Sequence, residues 1–131
     1  MKEETLTLDL LSLEKFCENI SQNLDRGNII CLFGELGSGK TTFARSIIKS
    51  IYRKNKSQGP RSIKSPSFPI LITYEVNNFE IYHYDLYRIS NSNDLFELNI
   101  FENLENSITL IEWPEIILKE LQSNKYFLVQ F

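Results

Sequence analysis

Gly34-Glu35-Leu36-Gly37-Ser38-Gly39-Lys40-Thr41-Thr42 is the stretch of sequence that decides the expected fold. It fits the pattern G-x-x-x-x-G-K-[ST], in which backbone N–H groups surround phosphate oxygens, a lysine reaches the outer phosphates and a hydroxyl binds Mg²⁺. The sequence therefore predicts a P-loop in which all of these residues contact a nucleoside triphosphate. Thr41 is the predicted hydroxyl ligand of the metal.

The segments on either side of this loop support that interpretation. Residues 28–33 form a short apolar run typical of a buried strand, and residues 42–51 carry Phe43, Ile47 and Ile48 at helical spacing. A helix that begins near Gly39 has unpaired N–H groups and a partial positive charge at its start, both of which suit a polyphosphate. The alternative is a glycine turn without a ligand.

Two acidic residues are candidates for the carboxylate that a P-loop needs near its Mg²⁺. Glu112 ends the apolar run 107–111, the position expected of a Walker B acid, and its alternative role is a capping or surface acid before Pro114. Asp85 ends a run of alternating residues, and its alternative role is a structural pair with Arg88. Lys40, Thr41 and one or both of these acids are therefore the candidate catalytic and metal-binding residues.

The rest of the chain predicts one α/β domain over residues 1–131, a P-loop NTPase-like fold with a mixed sheet flanked by helices. Two β-type runs, 68–76 and 79–86, are separated by Asn77-Asn78, which favours an antiparallel hairpin. Residues 126–131 predict a last strand. We also expect a short strand at 5–8, a first helix capped by Ser12, and a helix that begins at Pro114.

Composition restricts the class of protein. The chain has 131 residues, 42% of them hydrophobic, with a net charge of −3, which suits a single globular domain. No signal-like segment or long apolar run is present, so we expect a cytoplasmic protein with no membrane contact. Cys17 and Cys31 are isolated, which argues against a disulfide or zinc site. A basic stretch at 53–64 and an acidic one at 94–120 are either contact surfaces or ordinary solvated faces.

Other residues narrow the chemistry. The segment 55–58 lacks the aspartate of a guanine-reading Asn-Lys-x-Asp motif, which favours ATP over GTP. Few arginines are available for the lid of a small-molecule kinase, so that activity is not favoured. His83 is the only histidine and is expected to be a hydrogen-bonded core residue. Ser65 and Ser67 lie where P-loop proteins often carry a switch, although a plain turn explains them nearly as well.

Four ordered segments resemble one known family. Gly34 to Arg45, Lys64-Ser-Pro-Ser-Phe68, His83-Tyr-Asp-Leu-Tyr-Arg88 and Leu110-Ile-Glu-Trp-Pro114 are similar to the motifs of the bacterial TsaE (YjeE) ATPases. The family more often has Thr where this chain has Ser67, and a serine keeps the hydroxyl. Relatives commonly continue beyond the position of Phe131.

The resemblance implies a Mg²⁺-dependent ATPase required to make threonylcarbamoyladenosine in tRNA. It implies action on a complex of TsaD-like and TsaB-like proteins, so that contact with tRNA is indirect, and weak hydrolysis without those partners. By position, Lys40 and Thr41 match the phosphate and magnesium residues, Glu112 the magnesium-associated acid, and Asp85 an acid that orients water. A binding switch with incidental hydrolysis remains the alternative.

Overall fold

The computed structural model describes residues 3–121 and 124–131, which form a sheet with helices on both faces. Its elements, in chain order, are α1 (Leu10–Ser21), β1 (Ile29–Phe33), α2 (Lys40–Lys54), β2 (Leu71–Val76), β3 (Phe79–Asp85), α3 (Ser92–Glu97), a 3₁₀ helix (Ile100–Asn106), β4 (Ser107–Glu112), a 3₁₀ turn (Pro114–Ile116) and β5 (Phe127–Gln130). The order alternates strands and helices, as expected for an α/β protein.

The sheet has five strands in the order β2-β3-β4-β1-β5. β2 and β3 are antiparallel and joined at Asn77-Asn78, whereas β3–β4, β4–β1 and β1–β5 are parallel pairs. The predicted mixed sheet, hairpin and flanking helices are confirmed. Because β1, β3, β4 and β5 run in the same direction, their carboxyl ends meet at one edge of the sheet.

Alternate residues of the strands enter two different cores. Leu32 and Leu110 pack with Phe43 of α2 on one face, whereas Cys31 and Ile111 belong to the cluster on the opposite face. Side chains two residues apart on a strand share a face. Glu112 therefore lies on the same face as Leu110, towards α2.

Three local predictions were wrong. Residues 5–8 form no strand and are exposed. The cap of α1 is Asp9, whose side chain accepts a hydrogen bond of 2.8 Å from the Ser12 backbone N–H. This bond lowers the pKa of Asp9. A carboxylate three residues earlier satisfies an unpaired N–H of the first turn, which Ser12 inside the helix cannot do.

The predicted helix after Pro114 is reduced to a 3₁₀ turn followed by further turns up to Leu121. Ile117 and Leu121 are nevertheless fully buried in the second core. Short helices depend on packing for their stability. Here the apolar side chains reach the core from hydrogen-bonded turns, so burial does not require a complete helix.

Both cysteines are buried and free. Burial raises the pKa of Cys17 and of Cys31 to about 12. Among the described residues there is no cluster of three or more His, Cys, Asp or Glu side chains placed to hold a metal ion. None of the helices in residues 3–121 and 124–131 has the length and hydropathy to cross a membrane.

Candidate functional site

The glycine loop, residues 34–39, connects β1 directly to α2 at the carboxyl edge of the sheet. Gly39, the residue before the helix, has φ 109°, a conformation that a side chain disfavours, and it provides no side-chain cap. A Cβ added to Gly34 would lie 2.6 Å from the Ser38 Oγ. The loop therefore needs glycine at both ends, and the first N–H groups of α2 are left without a capping side chain.

Lys40 is folded back into the glycine loop. Its Nζ donates hydrogen bonds of 2.6 Å to the Gly34 carbonyl and 2.7 Å to the Glu35 carbonyl. The same Nζ lies 4.3 Å from the ring centroid of Trp113, within range of a cation–π interaction. Only 4% of Lys40 is exposed, so the ammonium group is held inside the loop.

Thr41 and Glu112 meet across the gap between α2 and β4. The Thr41 Oγ1 donates a hydrogen bond of 2.8 Å to the Glu112 Oε1. Glu112 is the last residue of β4, pairs in register with Leu32 of β1 and is 2% exposed. The alternative role of Glu112 as a cap or surface acid does not fit this buried position at the end of a strand.

The other oxygen of Glu112 is also bonded. The His83 Nε2 lies 2.6 Å from the Glu112 Oε2, and His83 is completely buried. The prediction that His83 is a hydrogen-bonded core residue is confirmed. Sequence reasoning did not connect it with Glu112. Its position two residues before Asp85, on the same face of a strand, was the available signal.

Asp85 lies beside Glu112 but makes different contacts. The two residues are register partners on β3 and β4, and Asp85 is 6% exposed. The Asp85 Oδ1 accepts a hydrogen bond of 3.0 Å from the Tyr87 backbone N–H. Burial raises the pKa of Asp85, and the Glu112 carboxylate adds to this, against the opposing effects of the Tyr87 N–H, His83 and Lys40. Asp85 thus remains the less constrained of the two carboxylates.

Arg88 contacts the switch-like segment and not Asp85. Its guanidinium donates hydrogen bonds to the carbonyls of Ser67 and Phe68 and lies 5.2 Å from the centre of the Phe68 ring. No Asp85–Arg88 ion pair is present in the described part of the chain. The structural pair considered as an alternative role for Asp85 is therefore not found.

The basic stretch is divided between two roles. The Lys54 Nζ donates to the carbonyl of Ser21, the last residue of α1, and to those of Gln22 and Leu24 just beyond it, and Arg53 pairs with Glu18. Lys56, Arg61 and Lys64 are exposed. Part of the positive charge thus joins α1 to α2, and whether the remainder contacts another molecule stays a prediction.

The structure brings Lys40, Thr41, Asp85 and Glu112 together at the start of α2, and their chemical roles stay predictions. Leu10 and Leu11 lie in the first turn of α1 and are 69% and 77% exposed. Fold and site together define an α/β protein with a glycine loop facing two strand-end carboxylates.

Comparison with known proteins agrees with the four motifs. The family model for "Threonylcarbamoyl adenosine biosynthesis protein TsaE" matches residues 8–131, and the chain belongs to this family. Proteins named "tRNA threonylcarbamoyladenosine biosynthesis protein TsaE" are similar to it. The relatives from Rickettsia conorii and Rickettsia typhi are each 44% identical over 104 residues, 79% of this chain, and the one from Aquifex aeolicus is 35% identical over 101 residues, 77% of this chain.

The chain spans only part of these relatives, covering 57% of the Rickettsia conorii protein, 69% of the Rickettsia typhi protein and 68% of the Aquifex aeolicus protein. A solved structure, the crystal structure of Bacillus subtilis YdiB, has a similar fold with a TM-score of 0.64. That match covers 95% of this chain and 73% of YdiB at 21% identity.

Proposed function

We propose that this protein is a P-loop ATPase that hydrolyses ATP with Mg²⁺ in support of threonylcarbamoyladenosine formation in tRNA. The observation that carries the catalytic part is the 2.8 Å contact between the Thr41 Oγ1 and the Glu112 Oε1 at the start of α2. The names of the relatives support the pathway. The absence of a guanine-reading segment favours ATP.

The glycine loop suits the phosphates. Its glycines allow backbone N–H groups to approach an anion closely, and the start of α2 adds the partial charge of the helix dipole. Lys40 supplies a full charge from inside the loop, where its Nζ is bonded to two carbonyls. Residues 34–42 would hold the triphosphate, with Lys40 directed at the outer phosphates.

The acidic end of the sheet suits a magnesium ion. Mg²⁺ prefers oxygen ligands and keeps several waters, so one hydroxyl and one carboxylate beside a phosphate are sufficient. Thr41 and Glu112 provide that pair, and the ion would neutralise charge that develops on the transferred phosphoryl group. Asp85, held by one backbone hydrogen bond, would orient the attacking water.

The proposed setting is the TsaD-like and TsaB-like complex, with tRNA bound through those partners. Large apolar side chains are exposed around the site and suit a protein partner: Leu36 is 77%, Phe68 84% and Tyr87 61% exposed. The same surface favours the second candidate function, a switch in which ATP binding sets partner affinity and hydrolysis is incidental.

Thermal unfolding with and without Mg²⁺ATP tests nucleotide binding. A ligand at a hundred times its dissociation constant stabilises a protein by about 2.7 kcal/mol, so a clear rise in melting temperature is expected. Lys40→Ala should lose the rise, whereas Lys49→Ala, which replaces an exposed lysine farther along α2, should keep it. No shift for the unmodified protein would contradict the proposal.

Hydrolysis and tRNA analysis separate the two candidate functions. Glu112→Gln and Asp85→Asn should each bind ATP but release phosphate at least about 100-fold more slowly, the usual effect of removing one preorganised electrostatic group. Their ability to restore threonylcarbamoyladenosine in cells depleted of the native protein is then measured by mass spectrometry. Loss of the modification supports an ATPase, whereas full restoration by inactive variants supports the switch.

A further inference from the structure

The histidine of β3 lies deeper in the sheet than the residues that would touch a ligand, yet it contacts one of them. His83 is completely buried, and its Nε2 lies 2.6 Å from the Glu112 Oε2. The other Glu112 oxygen accepts the hydrogen bond from Thr41. Each oxygen of this carboxylate thus has its own partner, so both the position and the plane of the group are fixed.

The register of the sheet explains why this histidine reaches that carboxylate. β3 and β4 are parallel, with His83 opposite Leu110 and Asp85 opposite Glu112. His83 and Asp85 point to the same face because they are two residues apart. The imidazole therefore extends diagonally towards the carboxyl edge, below Asp85, and arrives at Glu112 from the interior side.

The surroundings of the ring define its hydrogen-bonding role. The Nδ1 atom is buried and has no hydrogen-bond partner among the described residues. An unpaired buried N–H costs free energy, so the ring is most stable with its proton on Nε2, where it donates to the carboxylate. The short distance between Nε2 and the carboxylate oxygen also requires a donor at Nε2, because a carboxylate oxygen can only accept.

We propose that His83 is a positioning residue, whose Nε2–H group holds Glu112 in the orientation needed to share a magnesium ion with Thr41. This inference rests on the proposed function and adds a role for a residue that does not touch the ligand. Second partners of this kind fix the direction of a metal-associated carboxylate, and their loss typically weakens metal affinity or activity by about 10–100-fold. A purely structural histidine would leave magnesium binding unchanged.

A nuclear magnetic resonance experiment tests the hydrogen bond without nucleotide. His83 is the only histidine, so a two-bond ¹H–¹⁵N correlation spectrum reports its tautomer without further assignment. The form protonated on Nε2 is expected, and Glu112→Gln should change the ¹⁵N chemical shifts of the ring nitrogens. A ring that carries a proton on Nδ1 and none on Nε2 would overturn the inference.

The consequence for the metal is tested by titrating Mg²⁺ into protein with a fluorescent, non-hydrolysable ATP analogue. His83→Leu, which removes the donor, should raise the Mg²⁺ concentration for half-maximal binding by about 10–100-fold. His83→Gln, which can place an N–H near the same point, should recover most of this loss. Tyr84→Phe is the matched control, because the neighbouring Tyr84 is buried on the opposite face and its hydroxyl has no partner in the described chain.

The outcomes distinguish this inference from the proposed function. An unchanged Mg²⁺ midpoint in a folded His83→Leu protein, with normal binding by the unmodified protein, would overturn the positioning role alone. Equal defects in His83→Leu and His83→Gln would also overturn it, because the shape of the ring would then matter and its N–H would not. Failure of the unmodified protein to bind the analogue at any Mg²⁺ concentration would overturn both, even if the tautomer is as expected.

Discussion

Two carboxylate contacts of nearly equal length lie in opposite surroundings. At the carboxyl edge of the sheet, His83 and Glu112 approach to 2.6 Å with side chains 0% and 2% exposed. On the outer surface, Arg53 of α2 and Glu18 of α1 approach to 2.8 Å with side chains 59% and 47% exposed. The distances alone would rank the two contacts as equivalent.

Burial makes them different. Water competes for the exposed pair and screens its charges, so such pairs contribute about 0–1 kcal/mol to stability. The Glu112 carboxylate is almost completely shielded from solvent, so each missing hydrogen bond costs much more than at the surface. The contrast teaches that the buried contact fixes the geometry of the candidate site, whereas the exposed contact between α1 and α2 adds little to stability.

The largest expected effect comes from His83→Ala. The substitution removes a fully buried ring and leaves Thr41 as the remaining side-chain donor to Glu112 among the residues that the structure describes. The loss of one member of a buried pair typically costs about 3–5 kcal/mol. Urea unfolding should show a lower midpoint with an unchanged slope. A decrease in the free energy of unfolding of less than about 1 kcal/mol, the range of an exposed pair, would show that the buried contact is no more stabilising than the surface one.

Asp85→Asn should change the free energy of unfolding by an intermediate amount, and in the opposite direction to His83→Ala: it should stabilise the protein at neutral pH. Burial, helped by Glu112, raises the pKa of Asp85 above its ordinary value of 3.8. The folded protein therefore binds this proton more tightly than the unfolded chain, so stability falls as pH rises from about that value through the folded pKa. Above this window the ionised carboxylate keeps the fold less stable.

Asparagine removes the ionisation but can still accept the Tyr87 N–H. Asp85→Asn should therefore be more stable than the unmodified protein at neutral pH and should lose part of the pH dependence in the acidic window. Urea midpoints measured from acidic to neutral pH check this. A variant that is less stable at neutral pH would show that the ionised Asp85 is favourably paired.

The smallest effect is expected for the surface pair. A double-mutant cycle with Glu18→Ala and Arg53→Ala should give a coupling energy of about 0.2–1 kcal/mol. The coupling should decrease in high salt, since exposed charges are screened. A coupling as large as that of the buried contact, or one insensitive to salt, would contradict the interpretation of this pair as a solvated one.

Sequence patterns indicated the candidate site best where the order of the motifs along the chain was enough. The glycine loop lies between a strand and a helix by its spacing, and Glu112 and Asp85 end parallel strands, so their meeting near Thr41 followed from topology. The approach of His83 to Glu112 was not predicted, because it depends on the pairing of His83 with Leu110. No local pattern contains that diagonal contact.

The wrong elements share a physical reason. Residues 5–8 alternate like a strand, but none of the strands in the described part of the chain pairs with them, and alternation alone does not provide hydrogen bonds. After Pro114, the spacing of Ile117 and Leu121 is compatible with a helix or with successive turns. Tertiary packing decides between these, and it is not visible in a short apolar pattern.

The complete burial of Cys17 and Cys31 has a practical consequence for following this protein in solution. Thiol-directed dyes react with exposed thiolates, and both native sulfurs are shielded and protonated at neutral pH. A cysteine introduced at the exposed Leu36 would accept a single fluorophore while both natural cysteines stay in place. Movements of the glycine loop could then be recorded as changes in emission on an otherwise unaltered chain.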